Sequence, residues 1–135
     1  MDKKRVLLTG IGGSIAVHLL SHIFTNTDWD IVGIDSFQHK GWIDRIKVMT
    51  NNHPEWKERL TLFVQDLTVS FSPIIVKRLG KIDYIINMAS LSDVEASIQN
   101  PVPFIDNNVK LAVNMLEYAR KAKPKALIQI STDEV

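Results

Sequence analysis

Val6-Leu7-Leu8-Thr9-Gly10-Ile11-Gly12-Gly13-Ser14-Ile15-Ala16 reads as an apolar strand that breaks into a glycine turn and resumes as a helix. That order is what a dinucleotide site needs. Gly10 permits the tight turn off the strand. Gly13, lacking a Cβ, lets the backbone approach a pyrophosphate. Ala16 holds the position where a third glycine ordinarily lets helix and strand pack closely. The N–H groups at the helix start, around Ser14 and Ile15, have no partners inside the helix and face the phosphates.

A glycine spacing alone carries little weight. It is strengthened by Asp35, which closes a second apolar run, Ile31-Val32-Gly33-Ile34. An acid roughly twenty residues past the glycines accepts hydrogen bonds from an adenosine ribose. Asp35 is also a plausible turn former before Ser36, but its link to the glycine turn favours the ribose. Its charge repels a ribose 2′-phosphate, which selects NAD over NADP. His39 and Lys40 lie close by and work against that preference.

The remaining pattern extends the same theme. Strands are expected over 5–9, 30–35, 60–65, 84–88 and 126–131, and helices over 13–24, 42–51, 73–79 and 105–121. Strands alternating with helices imply an α/β fold with a doubly wound parallel sheet, and ligands then bind at the carboxyl ends of the strands. The long helix carries two apolar stripes. Val109, Ala112, Val113 and Leu116 form one, and Leu111, Met115 and Tyr118 the other. Both stripes can serve a wide core face. Alternatively, the stripe of Leu111, Met115 and Tyr118 is the one its own sheet leaves uncovered, and it makes a homodimer through helix 105–121.

Composition sets outer bounds. The 135 residues suit one domain with a real core, and 45% apolar and 23% charged residues are ordinary for a globular chain. A net charge of +1 gives no reason to invoke nucleic acid or an anionic membrane. The chain has no cysteine, which excludes disulfides, thiolate metal sites and a cysteine nucleophile, and suits a reducing, cytoplasmic setting. His18 and His22 stand four apart on one helix, but no further ligand pattern accompanies them, so no metal is expected.

Other candidate residues sit at strand ends. Asp66 with Leu67 follows the third strand, where a carboxylate and adjacent backbone meet an adenine amino group; a turn or cap explains Asp66 equally well. Ala89 and Ser90 follow the fourth strand, and their small side chains let backbone lie along the cofactor. Asn108, near the start of the long helix, is suited to bridging neighbouring backbone. The last strand delivers Thr132, Asp133 and Glu134. Taken by themselves, these three read as a polar strand end followed by solvated acids.

Together these segments resemble the N-terminal half of the extended short-chain dehydrogenase/reductase family, which includes the NAD-dependent sugar-nucleotide epimerases and dehydratases. The family motif TGxxGxxG corresponds to Thr9 through Ala16. Ser92 through Pro101 resembles its segment ending S-I-x-N-P, and Asn107-Asn108-Val109 its T-N-V. Ser131-Thr132-Asp133-Glu134-Val135 is most similar to the dTDP-glucose 4,6-dehydratase branch. The resemblance implies a Rossmann-like sheet in order 3-2-1-4-5, truncated after the fifth strand, and bound NAD. It implies cofactor contacts at Gly10, Gly13, Ser14, Ile15, Asp35, Asp66, Leu67, Ala89, Ser90 and Asn108. It also makes Thr132, Asp133 and Glu134 catalytic.

Three departures qualify it. Ala16 replaces the last glycine. Asp93 stands where the family often has His. The family's Tyr-x-x-x-Lys pair is not found, since Tyr84 and Tyr118 are followed four residues on by Met88 and Ala122. Residues 1–135 are therefore expected to form an NAD-binding domain without the Tyr/Lys helix and substrate domain, inactive alone. A nucleotide-sugar substrate is then expected only when a C-terminal part completes the site. A non-enzymatic nucleotide-binding protein, or one half of a split enzyme, fits the same residues.

Overall fold

The computed structural model describes residues 3–131. Five strands, β1 (Arg5–Thr9), β2 (Asp30–Asp35), β3 (Leu60–Val64), β4 (Tyr84–Asn87) and β5 (Ala126–Gln129), form one sheet in the order β3-β2-β1-β4-β5. Every pairing is parallel. The helices are α1 (Ser14–Asn26), α2 (Trp42–Asn52), α3 (Pro73–Leu79), α4 (Val94–Gln99) and α5 (Pro101–Ala122), with a 3₁₀ turn at Pro54–Arg59 before β3. The strand–helix alternation implies the doubly wound parallel sheet, and the family resemblance implies this Rossmann-like order. The chain winds outward in opposite directions from β1 and β4, so a crevice opens between the carboxyl ends of those two strands.

The central strands are covered on both faces, which explains their unbroken apolar runs. On one face Leu7, Val32 and Ile85 pack with Leu79 of α3 and with Leu111, Met115 and Tyr118 of α5. On the other, Val6, Leu8 and Ile31 pack with Leu20, Ile23 and Phe24 of α1, Ile46 of α2 and Trp56. The end of α1 is finished from a distance. Its last turn has no basic residue. Arg59 instead donates to the carbonyls of Phe24 (3.1 Å), Thr27 (2.7 Å) and Trp29 (2.9 Å) and lies over the Phe24 ring. These bonds satisfy carbonyls that a helix end otherwise leaves open.

Two sequence expectations need correction. The stripe of Leu111, Met115 and Tyr118 does not face a partner: it is buried against the chain's own sheet. The other stripe faces outward, with Val109 56% and Leu116 56% exposed. Both stripes satisfy helical periodicity, and only the azimuth at which α5 docks decides between them. The short helix α4 also went unforeseen. Asp93 caps it by accepting from the N–H of Ala96 at 3.0 Å, and Pro101 then starts α5 at a position that lacks an N–H anyway. Among the described residues no helix is long and apolar enough to cross a membrane.

Gly10 and Gly41 separate two kinds of glycine requirement. Both have positive φ, +65° and +85°. A Cβ on Gly10 would come within 2.8 Å of the backbone of Ala89, whereas one on Gly41 would meet nothing within 4 Å. Gly41→Ala should therefore cost about 1–2 kcal/mol, the backbone strain alone. Gly10→Ala should cost roughly a further 1–3 kcal/mol, because β1 and the chain leaving β4 must separate. Urea midpoints should fall in the order wild type, Gly41→Ala, Gly10→Ala, and equal midpoints for the two variants would refute the steric account.

Candidate functional site

The glycine turn is held by β2. Gly10 donates its N–H to the carbonyl of Ile34 at 2.8 Å, and Gly13 donates to the carbonyl of Gly10 at 2.9 Å. Gly12 donates to Asp35 Oδ2 at 2.9 Å, and the N–H of Phe37 to Asp35 Oδ1 at 2.9 Å. Asp35 is only 3% exposed. Each of its oxygens keeps a second lone pair, so the carboxylate can hold the turn and accept from a ligand at the same time.

Gly12, which the motif reading passed over, has as little room for a Cβ as Gly10. A Cβ there would lie 2.9 Å from Trp42 Cβ and 3.3 Å from Asp35 Oδ2. Gly13 differs: an added Cβ would meet only the carbonyl oxygen of Gly10, at 3.2 Å. Its missing side chain leaves room toward the cleft rather than toward the protein. Gly13 caps α1 with ordinary extended backbone, no side chain caps the helix, and its first turn carries no acid. The N–H groups of that turn remain available, with Ser14 and Ile15 exposed beside them.

Two loops complete the walls. Asp66 Oδ1 accepts from both the N–H and the hydroxyl of Thr68 at 2.8 Å, so Asp66 does form a turn, at an exposed edge. Leu67 is buried in the core, and its carbonyl accepts from Asn114 at 3.0 Å. Asn108 bridges both backbone groups of Leu91: it accepts the N–H at 2.8 Å and donates to the carbonyl at 3.0 Å. It therefore holds the loop that carries Ala89 and Ser90.

A polar row also crosses three strand ends in register. The Thr9 hydroxyl donates to Asn87 Oδ1 and accepts from the N–H groups of Met88 and Ala89 at 3.2 and 3.3 Å. Asn87 Nδ2 donates to Gln129 Oε1 at 2.7 Å. Sequence reading did not single out Asn87 or Gln129 for this. Their signal was a polar residue at the end of each of two apolar strands.

Thr132, Asp133 and Glu134 lie outside the described residues. The described chain reaches the cleft wall at Ser131. His18 is exposed, and His22 Nδ1 pairs with Asn26 at 3.3 Å. Among the described residues no group of three potential ligands could hold a metal.

All the residues expected to contact the cofactor (Gly10, Gly13, Ser14, Ile15, Asp35, Asp66, Leu67, Ala89, Ser90 and Asn108) open onto one cleft of about 1300 Å³. That exceeds the roughly 300–1,000 Å³ of an ordinary small-ligand pocket, so there is room for a dinucleotide. Trp42 and Arg45 of α2 line it too. Arg45 Nη1 donates to the Gly12 carbonyl at 3.3 Å, tying α2 to the glycine turn.

Comparison with known proteins agrees with this geometry. A family model described as GDP-mannose 4,6 dehydratase matches residues 7–135. The low-salt glycan biosynthesis protein Agl12 of Haloferax volcanii is 29% identical over 130 residues, which cover 96% of this chain and 40% of that protein. A dTDP-glucose 4,6-dehydratase of Escherichia coli is 28% identical over 117 residues, covering 87% of this chain and 31% of the enzyme. The crystal structure of UDP-glucuronic acid 4-epimerase from Bacillus cereus, in complex with UDP-glucuronic acid and NAD, superposes with a TM-score of 0.80 at 26% identity. That match covers 97% of this chain and 41% of the epimerase. The chain thus spans less than half the length of these relatives.

Asp35→Asn tests the tie between turn and strand. A neutral amide offers one acceptor where two N–H groups now bond, and it turns an NH2 toward the other. The buried N–H left unmet should cost about 1–3 kcal/mol in urea unfolding. An unchanged midpoint would show that the carboxylate does not hold the turn.

Proposed function

The chain belongs to the GDP-mannose 4,6 dehydratase family, and on that premise we propose that it is the NAD-binding part of a nucleotide-sugar epimerase or dehydratase. One observation carries this reading. A buried acid, Asp35, is bonded directly to a glycine turn whose helix start is uncapped, and both face a cleft large enough for a dinucleotide. The N–H groups around Ser14 and Ile15 receive the pyrophosphate, assisted by the positive end of α1. Asp35 accepts from the adenosine ribose, and Asp66 with the Leu67 backbone meets the adenine. The backbone of Ala89 and Ser90 runs along the other half of the cofactor, at a position set by Asn108 and Thr9.

When bound, NAD supplies a hydride acceptor for the sugar C4 and later returns the hydride. Thr132 hydrogen-bonds the sugar oxygen being oxidised. Asp133 and Glu134 supply acid and base for loss of water. An unassisted threonine hydroxyl is too weak a base near neutral pH to take the C4 hydroxyl proton, and neither tyrosine of this sequence is followed by the lysine of Tyr-x-x-x-Lys. The 135-residue polypeptide therefore binds cofactor without turning over substrate by itself.

Titration calorimetry with NAD and NADP tests this. NAD should bind one to one, and NADP about tenfold more weakly or worse, because its 2′-phosphate approaches the fixed Asp35 charge. Gly13→Val should fold normally, since its side chain meets little protein, yet lose NAD binding. The same protein given dTDP-glucose with NAD should form no 4-keto product absorbing in alkali. Equal affinity for both cofactors, full affinity in Gly13→Val, or enzyme-like turnover would each refute its part of the proposal.

The outward stripe of α5 carries a second element of the proposal, a homodimer. Val102, Ile105, Val109, Val113 and Leu116 are each more than half exposed, and they recur at three- and four-residue steps. Such a seam buries itself against a second copy of the same helix. Light scattering over a concentration series should show dimer formation. Val109→Glu with Leu116→Glu should abolish it without lowering the thermal midpoint. A monomer throughout the series would remove the proposal.

A further inference from the structure

The end of the sheet opposite the glycine cleft carries a second concavity, of about 460 Å³. Lys3, Lys4, Arg5, Lys81 and Lys125 line it, with Asp30 and Asp83. The topology brings them together. Arg5 opens β1 and Asp30 opens β2, while Asp83 and Lys125 immediately precede β4 and β5. Four parallel strands thus begin at one place.

Both carboxylates there are already engaged. Asp30 pairs with Lys3 at 2.7 Å. Asp83 Oδ2 accepts from the N–H of Arg5 at 3.0 Å, and Oδ1 pairs with Lys125 at 3.5 Å. The Arg5 N–H, together with Lys125 and Lys81, holds the Asp83 carboxyl below its ordinary range against the opposing effect of burial. Asp83 therefore remains charged across the physiological range.

The charge balance is uneven. Among the described residues, basic side chains outnumber carboxylates in the lining, five to two, although the whole chain carries only +1. Positive charge is thus collected in one hollow. Like charges so gathered repel one another, and a concave wall focuses their field. In addition, Arg5 Nε is buried and has no hydrogen-bond partner among the described residues.

We infer that this concavity binds a small anion bearing two adjacent phosphate groups. Its surplus of basic side chains suits a group carrying several negative charges, and its volume exceeds what a single phosphate fills. Flexible lysines serve as point charges around such a group, and they need no fixed bidentate geometry. The site shares no lining residue with the glycine cleft, so it stands or falls independently of cofactor binding there.

The test is calorimetric titration of the full chain with inorganic pyrophosphate at low ionic strength, with orthophosphate in parallel. Pyrophosphate should bind more tightly than orthophosphate, and its affinity should persist when the glycine cleft is filled with NAD. Lys81→Glu should weaken it by about tenfold or more, and Lys81→Ala should weaken it less. Lys81 is exposed, and thermal midpoints will show that both variants fold. Pyrophosphate binding that is lost when NAD fills the cleft and kept in Lys81→Glu would place the anion at the glycine turn and overturn the inference. Equal affinity for orthophosphate, or no binding by either anion, would overturn it as well.

Discussion

The carboxylate of Asp35 is the constraint from which the site is built. A buried acid is costly unless its charge is met, and here two backbone N–H groups meet it, those of Gly12 and Phe37. Such charge-assisted bonds are short and strong, so the glycine turn cannot drift relative to the end of β2. Several other requirements follow. Gly12 must lack a Cβ, because the position it would take is filled by Trp42 and by Asp35 itself. The start of α1 must sit where Gly13 leaves it, uncapped. Trp42 and Arg45 are drawn against the turn, so α2 becomes a wall of the cleft as well as a crossover helix.

The opposite wall has its own anchor in the row Thr9, Asn87 and Gln129. Thr9 and Asn87 are fully buried, which makes any unmet polar atom there expensive. The Thr9 hydroxyl uses its whole capacity, giving one hydrogen bond and accepting two. Asn87 then passes the chain of bonds to Gln129 on the edge strand. In a low-dielectric setting the members of such a chain strengthen one another. They lock the ends of β1, β4 and β5 in register at the edge that borders the cleft. The two anchors meet in β1, which ends in Thr9 and leads into Gly10.

How far the sequence could be read depended on whether a residue's role was local. The glycine turn and the alternation of strands and helices were legible because backbone need and side-chain type coincide within a few residues, as at Gly10 and Asp35, while the strand order came from the family resemblance. Asn108 was legible for the same reason: an asparagine within a helix seeks backbone, and it found Leu91. Roles set by docking were not legible. Nothing in 105–121 says which stripe of α5 meets the sheet, so the buried and exposed faces were exchanged. Gly12 was hidden by its neighbours, since its constraint comes from Trp42, thirty positions away in sequence. Arg59 carried no sequence signal for its role, which arises only because the end of α1 lies beside it.

The same sheet also shows where its packing is unfinished. Parallel sheets are ordinarily covered on both faces. Here α1, α2 and the 3₁₀ turn cover one face over β1 to β3, but none of them extends over β5. Ile128, which pairs with Ile86 across the strands, is 52% exposed, and Ile130 is 46% exposed. These side chains adjoin the carboxyl ends of the strands, beside Gln129 and Ser131, which line the cleft. Polypeptide packed there would bury them at roughly 25 cal/mol for each Å² removed from water. It would also exclude water from that end of the cleft. The β5 side of the cleft thus presents exposed apolar surface, whereas the side anchored by Asp35 is already packed and hydrogen-bonded.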